Sequence, residues 1–115
     1  MTQRLRHDIL DKLARWKKEW SAHTPGQNEH YLMMQELAQS HAAPFTRTSF
    51  EPGHFTASAF VVDQALSKVL LVFHKKLQRW LQPGGHFEVG DDSSLAAARR
   101  EVLEETGVVT QTFKG

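Results

Sequence analysis

The sequence contains no cysteine, almost no net charge and no long apolar run. Without cysteine the chain cannot form a disulfide framework, a thiolate zinc site or a thiol nucleophile, which fits a reducing cytosol. Lysine and arginine number 14 against 13 aspartates and glutamates, and the formal charge of +1 gives no reason to expect nucleic acid or a membrane surface as partner. Residues 1–20 are charged and amphipathic, so they are neither a signal peptide nor a membrane span. We expect a soluble cytoplasmic protein.

The length of 115 residues allows one core but not two. Residues 42–53 include two prolines and show no periodicity, which indicates a connector. We therefore predict an N-terminal helical arm, residues 1–42, followed by a second region, residues 53–115.

The arm has the pattern of two amphipathic helices. In the first, apolar residues recur every three or four positions between charged ones: Leu5, Ile9, Leu13, Trp16 and Trp20. Thr24 is placed to N-cap the second helix, with Pro25 at its first position and Gln27 completing a capping box. The apolar positions of the second helix are Tyr31, Met34, Leu37 and Ala38. We predict a helical hairpin with the aromatic and methionine stripe in its core.

Strands are predicted in the second region. Residues 55–62 and 69–73 are apolar and partly β-branched, which is typical of two strands joined by a short loop. Their nearly continuous apolar character predicts burial on both faces. Residues 80–82 are predicted to form a further extended segment, ended by Pro83, Gly84 and Gly85.

A turn containing Gly84 and Gly85 leads into a helix predicted to begin near Ser94. A rotation of roughly 100° per residue gives this helix two faces. Its acidic face carries Glu101, Glu104 and Glu105, and its other face carries Leu95, Ala98, Val102 and Thr106. Close carboxylates repel one another unless cations neutralise them, and hard cations such as Mg2+ prefer oxygen ligands. The helix is predicted to bind metal, although an isolated acidic cluster is more often a solvated face.

Four groups of residues match a known motif in identity and order: Gly85, Arg100-Glu101-Val102, Glu104-Glu105 and Gly107-Val108. They resemble the Nudix box, which reads Gly, five residues, Glu, seven residues, Arg-Glu, an apolar residue, any residue, Glu-Glu, any residue, Gly and an apolar residue. The loop has one extra residue, and Asp replaces the first Glu. Counting from Gly85 selects Asp91, whereas counting back from Arg100 selects Asp92. Either aspartate could take the place of that Glu, or both could cap the helix.

The resemblance covers about residues 53–109. The residues that flank the motif, 54–59 and 80–86, are similar to those of a bacterial Nudix subgroup. It implies an α/β (α+β) fold with a mixed β-sheet and the Nudix helix, preceded here by the helical hairpin. It also implies Mg2+- or Mn2+-dependent hydrolysis of a diphosphate linkage in a nucleoside diphosphate derivative, a small molecule. The metal ligands implied by position are Glu101, Glu104, Glu105 and the Gly85 carbonyl. The implied catalytic residues are Glu104, Glu101 and Arg100.

The resemblance also implies supporting roles around these residues. Arg100 would pair with a carboxylate of the motif and orient it. Gly84 and Gly85 would let the backbone turn sharply and approach metal or phosphate. Gly107 would adopt a left-handed conformation at the end of the helix.

Several side chains outside the helix have more than one interpretation. Lys75, Arg79 and His86 could bind the substrate, although charged loop residues are usually solvated. Trp80 could stack on a base, but packing in the core or at its rim is the main expectation. Glu88 could bind metal, shape the turn or lie at the surface.

Further strands and a helix normally follow the Nudix box, so the resemblance predicts a fold that is incomplete at the C-terminus, or else a core completed by the N-terminal helices and a partner chain. A core of about 60 residues would be marginal, and its free strand edges would favour association, for example as a homodimer. Three alternatives to the active hydrolase stay open. One is a non-catalytic Nudix-like module that binds a nucleotide or a protein, and another is an inactive truncated form. The third is a helical interaction module with a hydrolase remnant.

Overall fold

A computed structural model describes residues 3–19, 25–40, 44–46, 48 and 53–112 of the chain. In these ranges the chain forms three α-helices and six short strands. The helices are α1 (Gln3–Glu19), α2 (Pro25–Ser40) and α3 (Ser94–Thr106). The strands are β1 (Thr56–Ser58), β2 (Val61–Val62), β3 (Val69–Leu70), β4 (Val72–His74), β5 (Arg79–Leu81) and β6 (Gly84–His86). The predicted α+β class is confirmed.

Helices α1 and α2 pack against each other as the predicted hairpin. The Trp16 ring stacks on the Tyr31 ring with centroids 5.8 Å apart, and Lys17 Nζ lies 5.4 Å from the centroid of the same Tyr31 ring. The predicted N-cap Thr24 and the last position of the apolar stripe, Trp20, lie outside the described residues.

The methionine part of the predicted core stripe is wrong, because Met34 is exposed. Among the described elements α2 packs chiefly on α1, so only one side of α2 is covered. Ala38 is fully buried on that side, and Leu37 packs against the core partly buried.

Each of the two apolar segments divides into two strands with different partners. The pairs are antiparallel: β1 with β6, β2 with β3, and β4 with β5. Within residues 55–62 the change of partner occurs at Ala59, whose N–H donates to the Pro83 carbonyl oxygen at 3.0 Å. The Asp63 carboxylate closes the β2–β3 hairpin by accepting the N–H groups of Ser67 and Lys68.

The prediction that these segments are buried on both faces is wrong. Val62, Val69 and Phe73 are exposed. The reason is that α3 packs on β1 and β6, whereas β2–β3 and β4–β5 are separate two-stranded ribbons. Apolar sequence predicted strands here, but burial also requires a layer to cover them.

A single apolar cluster joins the helical hairpin to α3 and the strands. Phe45 is 3% exposed, and its ring lies 5.5 Å from that of Phe55 and 5.0 Å from that of Phe87 between centroids. The cluster consists of Leu5, Ile9, Ala38, Phe45, Phe55, Ala57, Phe87, Ala97 and Ala98. The predicted division of the chain at residues 42–53 stays a prediction, although Phe45 lies within that segment and is part of the core. Among the described helices, none is long and apolar enough to cross a membrane.

Candidate metal centre

The two ends of α3 are fixed by local signals. At the start, the Ser93 side chain accepts the N–H of Ala96 at 3.0 Å, while Ser93 itself is extended. At the end, Gly107 has φ 74° and donates its N–H to the Leu103 carbonyl at 2.9 Å. The predicted start near Ser94 and the left-handed Gly107 are both confirmed.

Strand β6 lies directly against α3, and its glycines make that approach possible. A Cβ added to Gly84 would lie 2.5 Å from Ser58 Cβ, and one added to Gly85 would lie 2.7 Å from the Glu101 carboxylate. Both glycines are in a strand rather than in the sharp turn expected from the sequence. Close neighbours, rather than a special backbone conformation, disfavour a side chain here: at Gly84 it would collide with β1, and at Gly85 it would displace the Glu101 carboxylate.

The guanidinium of Arg100 brings four carboxylates together. It donates to both oxygens of Asp91, from Nε at 3.1 Å and from Nη2 at 3.0 Å. Its Nη1 donates to Glu101 Oε1 at 2.9 Å and to Glu104 Oε2 at 3.2 Å. The same Nη1 lies 3.5 Å from Glu88 Oε1. The hydrogen bonds to Asp91 are the main reason that the pKa of Arg100 is raised, so its positive charge is permanent.

The structure separates the two aspartates that counting along the sequence left equivalent. Asp91 is buried, and its Oδ2 also accepts the Glu88 N–H at 2.8 Å. Burial opposes its ionisation, but the hydrogen bonds from Arg100 and Glu88 more than offset this and lower the pKa of Asp91. Asp92 is exposed and pairs with Arg4 of α1 at 3.3 Å. Asp91 therefore lies where a carboxylate can orient Arg100.

Three carboxylates of this group are close enough to share one cation. Oxygens from Glu88, Glu101 and Glu104 all lie within 4.8 Å of one another. The Glu101 side chain is only 12% exposed, whereas those of Glu88 and Glu104 are about half exposed. Oxygen donors that are partly open to solvent suit Mg2+ or Mn2+, which keep several waters or substrate oxygens in their shell. The residues present fit a hard divalent cation.

Glu105 lies beside Glu101 but does not belong to this three-carboxylate group. Burial and the negative charge of Glu101 raise the pKa of Glu105, while the Gly84 N–H and His74 act in the opposite direction. The resemblance placed Glu105 among the metal ligands. The role of Glu88 stayed undecided, because helical periodicity cannot show where the side chain of a loop residue points. Metal binding by Glu105 or by the Gly85 carbonyl stays a prediction.

The three predicted substrate-binding residues lie in different places. The His86 carbonyl oxygen accepts a hydrogen bond from Arg100 Nη2 at 2.9 Å, and the His86 ring lies 5.2 Å from that of His54. Lys75 and Arg79 are exposed on the β4–β5 hairpin, where their side chains form no ion pair or hydrogen bond with any described residue. The His86 backbone thus adjoins the carboxylate group through Arg100, and substrate binding by all three residues stays a prediction.

Trp80 packs at the surface rather than in the core. It is 65% exposed, and its ring lies 5.4 Å from that of Phe73 on the neighbouring strand. The expectation of rim packing fits this position; stacking on a base stays a prediction.

Comparison with known protein families agrees with this geometry. The model of the NUDIX domain matches residues 52–114, more than half of the chain. The chain therefore belongs to the Nudix hydrolase family, whose members generally use divalent metal ions and act on nucleotide derivatives. A comparison with curated proteins finds no match. The carboxylate group and Arg100 lie inside the matched range, whereas α1 and α2 lie outside it.

Proposed function

We propose that this protein is a Mg2+- or Mn2+-dependent hydrolase that cleaves the diphosphate linkage of a nucleoside diphosphate derivative. The observation that carries the proposal is the convergence of Glu88, Glu101 and Glu104 beside Arg100 in a chain of the Nudix family.

The chemistry of the proposed substrate explains the need for this group. A diphosphate is anionic and repels a nucleophile, and divalent cations bound to carboxylates neutralise that charge and lower the pKa of bound water. Glu101 would hold the cation from its buried side, while Glu88 and Glu104 would hold it from the solvent side. The half-exposed carboxylates leave an opening through which a phosphate could approach.

Arg100 would act through the carboxylates rather than on the substrate. Its guanidinium is held by both oxygens of Asp91, so the remaining Nη1 has a fixed direction toward Glu101 and Glu104. Carboxylates that are already oriented need less rearrangement when a cation binds. His86 would contribute mainly through its carbonyl, which fixes Nη2 of the same guanidinium.

A substrate panel tests the proposal. The protein is incubated with several nucleoside diphosphate derivatives in MgCl2, with a parallel series in excess EDTA, and the nucleotide and phosphate products are separated. We expect product from at least one compound with Mg2+ and none with EDTA. Binding of a compound without turnover would instead support the non-catalytic module.

A further inference from the structure

We propose that Asp8 of α1 is a positioning residue for the carboxylate group. It holds the first turn of α3 and thereby the loop that presents Glu88 and Asp91. The inference rests on the proposed function, since it concerns the arrangement of the same metal ligands. It also gives a role to a helix that lies outside the range matched by the family model.

The contact joins two parts of the chain that are far apart in sequence. Asp8 Oδ2 accepts the N–H of Ser94 at 2.8 Å, and Lys12 pairs with the other oxygen of Asp8. Ser94 is the first residue of α3, so its N–H has no partner within the helix. The Ser93 hydroxyl oxygen accepts the N–H of Ala96, and the Asp8 carboxylate accepts the N–H of Ser94. A carboxylate at this position also interacts favourably with the helix dipole.

Burial fixes α1 in register with α3. Leu5 and Ile9 are buried on the face of α1 that also carries Asp8, in one apolar cluster with Ala97 and Ala98 of α3. Sliding of α1 would expose these side chains. Asp8 is therefore an acceptor held in place by packing, rather than a mobile surface carboxylate.

The loop between β6 and α3 is attached at both ends. Phe87 is buried in the core at its start, and Ser94 is held by Asp8 at its end. Between these points Asp91 faces Arg100, whereas Asp92 faces Arg4 of α1. This loop, one residue longer than in the Nudix box, thus carries two aspartates. One contacts Arg100 in the site and the other contacts α1.

Of the two contacts from α1, the one made by Asp8 carries the inference. The Arg4 and Asp92 side chains are 76% and 60% exposed, and such ion pairs contribute little because solvent screens them. The Asp8 side chain is 18% exposed and binds a backbone N–H, so its removal leaves that donor without its partner. Fraying of the first turn of α3 would then shift Asp91 relative to Arg100.

Mn2+ binding by the full chain tests the inference. The dissociation constant is measured by electron paramagnetic resonance, well below the melting temperature of each variant. We expect Asp8→Ala to weaken binding roughly threefold to tenfold, less than many direct partners of metal ligands. Asp8→Asn keeps an acceptor oxygen and should stay within about twofold of wild type. The control Asp11→Ala changes an exposed carboxylate of the same helix and should bind as wild type does.

A second variant removes the donors instead of the acceptor. Ser94→Pro lacks both the N–H and the hydroxyl that hydrogen-bond Asp8 but keeps the helix, because proline is favoured at the first helical position. Ser93 has φ −153° and ψ 163°, the extended conformation that a following proline requires. We expect Ser94→Pro to weaken Mn2+ binding as Asp8→Ala does, and the double variant to lose little more than either single one.

The outcomes separate this inference from the proposed function. Wild-type affinity in both Asp8→Ala and Ser94→Pro would overturn the positioning role and leave the metal site standing. Failure of the wild-type protein to bind Mn2+ at millimolar concentration would overturn the metal site, and the positioning role with it. Failure of Asp8→Asn to restore the affinity lost in Asp8→Ala would also contradict the hydrogen bond as the cause.

Discussion

At the scale of single residues, the site depends on the imbalance of charge around Arg100. Four carboxylates lie within 3.5 Å of one guanidinium, so negative charge stays in excess and favours a cation. Asp91 takes two of the guanidinium N–H groups and is itself buried. An amide at position 91 would leave Arg100 its other carboxylates, but it would replace two charge-assisted hydrogen bonds by weaker contacts with the guanidinium.

Replacement of Asp91 by Asn should therefore destabilise the protein by about 1–3 kcal/mol at pH 7. Because the pKa of Asp91 is lowered in the folded state, its ionised form contributes stability above the ordinary aspartate range, and this is lost as pH falls through the lowered pKa. Urea unfolding of wild type and variant at pH 7 and at about pH 3 checks this, with the difference between them shrinking at low pH.

The matched control is Asp92→Asn, which changes the exposed neighbour. Its ion pair with Arg4 is screened by solvent, so we expect a change within about 0.5 kcal/mol. Equal effects of the two substitutions, or a pH-independent effect of Asp91→Asn, would contradict the asymmetry between these aspartates.

The sequence predicted a large part of this site. The motif placed Arg100, Glu101 and Glu104 on one helix, and the structure brings their side chains together. It could not choose between Asp91 and Asp92, because the direction of each side chain depends on the turn in which Asp91 and Glu88 exchange backbone and side-chain hydrogen bonds. That turn leaves no periodic signal in the sequence.

At the scale of the element, the length of α3 is determined by residues at its two ends, and its position by packing on β1 and β6. Ser93 and Asp8 bind N–H groups at its start, and Gly107 ends it. The start near Ser94 and the C-terminal glycine were predicted from local signals, but the capping residues considered were Asp91 and Asp92, whereas the structure uses Ser93. The acceptor from α1 was not predictable, because its partner lies 86 residues away.

Gly107→Ala tests how the helix ends. Its φ of +74° disfavours any residue with a Cβ, although nothing lies within 4 Å of the place that the Cβ would occupy. The cost should therefore be conformational, about 1–2 kcal/mol. Thermal unfolding measures it. Gly26→Ala in α2 is the control, since that glycine has equal space and no positive φ, and we expect it to be neutral or slightly stabilising.

A similar loss of stability in both alanine variants would contradict the conformational explanation for Gly107. It would indicate that glycine is needed at both positions for another reason.

The strands show where sequence patterns stop being informative. Apolar and β-branched residues predicted extended chain at residues 55–62 and 69–73, and strands occur there. The patterns did not show that each segment changes partner, since pairing depends on contacts such as Ala59 N–H to the Pro83 carbonyl. Burial was overestimated because no described element covers both faces of the β2–β3 and β4–β5 ribbons.

At the scale of the whole molecule, the helical hairpin and the residues matched by the family model share a core. Leu5 is fully buried together with Phe45, Phe87 and Ala97. The hairpin is thus packed against the site-bearing region, which makes α1 part of the support of α3.

Leu5→Ala should lower the free energy of unfolding by about 2–5 kcal/mol, because it removes buried methyl groups and leaves a cavity. The control Leu32→Ala changes an exposed leucine of α2 and should stay within about 0.5 kcal/mol. Both are measured by urea unfolding followed by circular dichroism. We expect Leu5→Ala to shift one cooperative transition. Loss of helix signal before the rest of the molecule unfolds would contradict a shared core.

Within the described residues, one apolar surface is not covered by another element. A groove of about 650 Å³ lies between β2 and α3, with exposed Phe60, Val62 and Leu95 in its lining. Such a surface is consistent with association, and the homodimer stays a prediction that sedimentation of the full chain would check.

The central claim is that the carboxylates of α3 support metal-dependent hydrolysis. Its most direct test is Mg2+-dependent phosphate release, from a compound that the wild type cleaves, by wild type, Glu104→Gln and the exposed control Glu36→Gln. Glu104→Gln removes the charge of a half-exposed carboxylate that we propose as a metal ligand, and it should leave the circular dichroism spectrum unchanged. We predict that this variant loses release at least about a hundredfold, while Glu36→Gln retains it. Unchanged release by folded Glu104→Gln would contradict the claim.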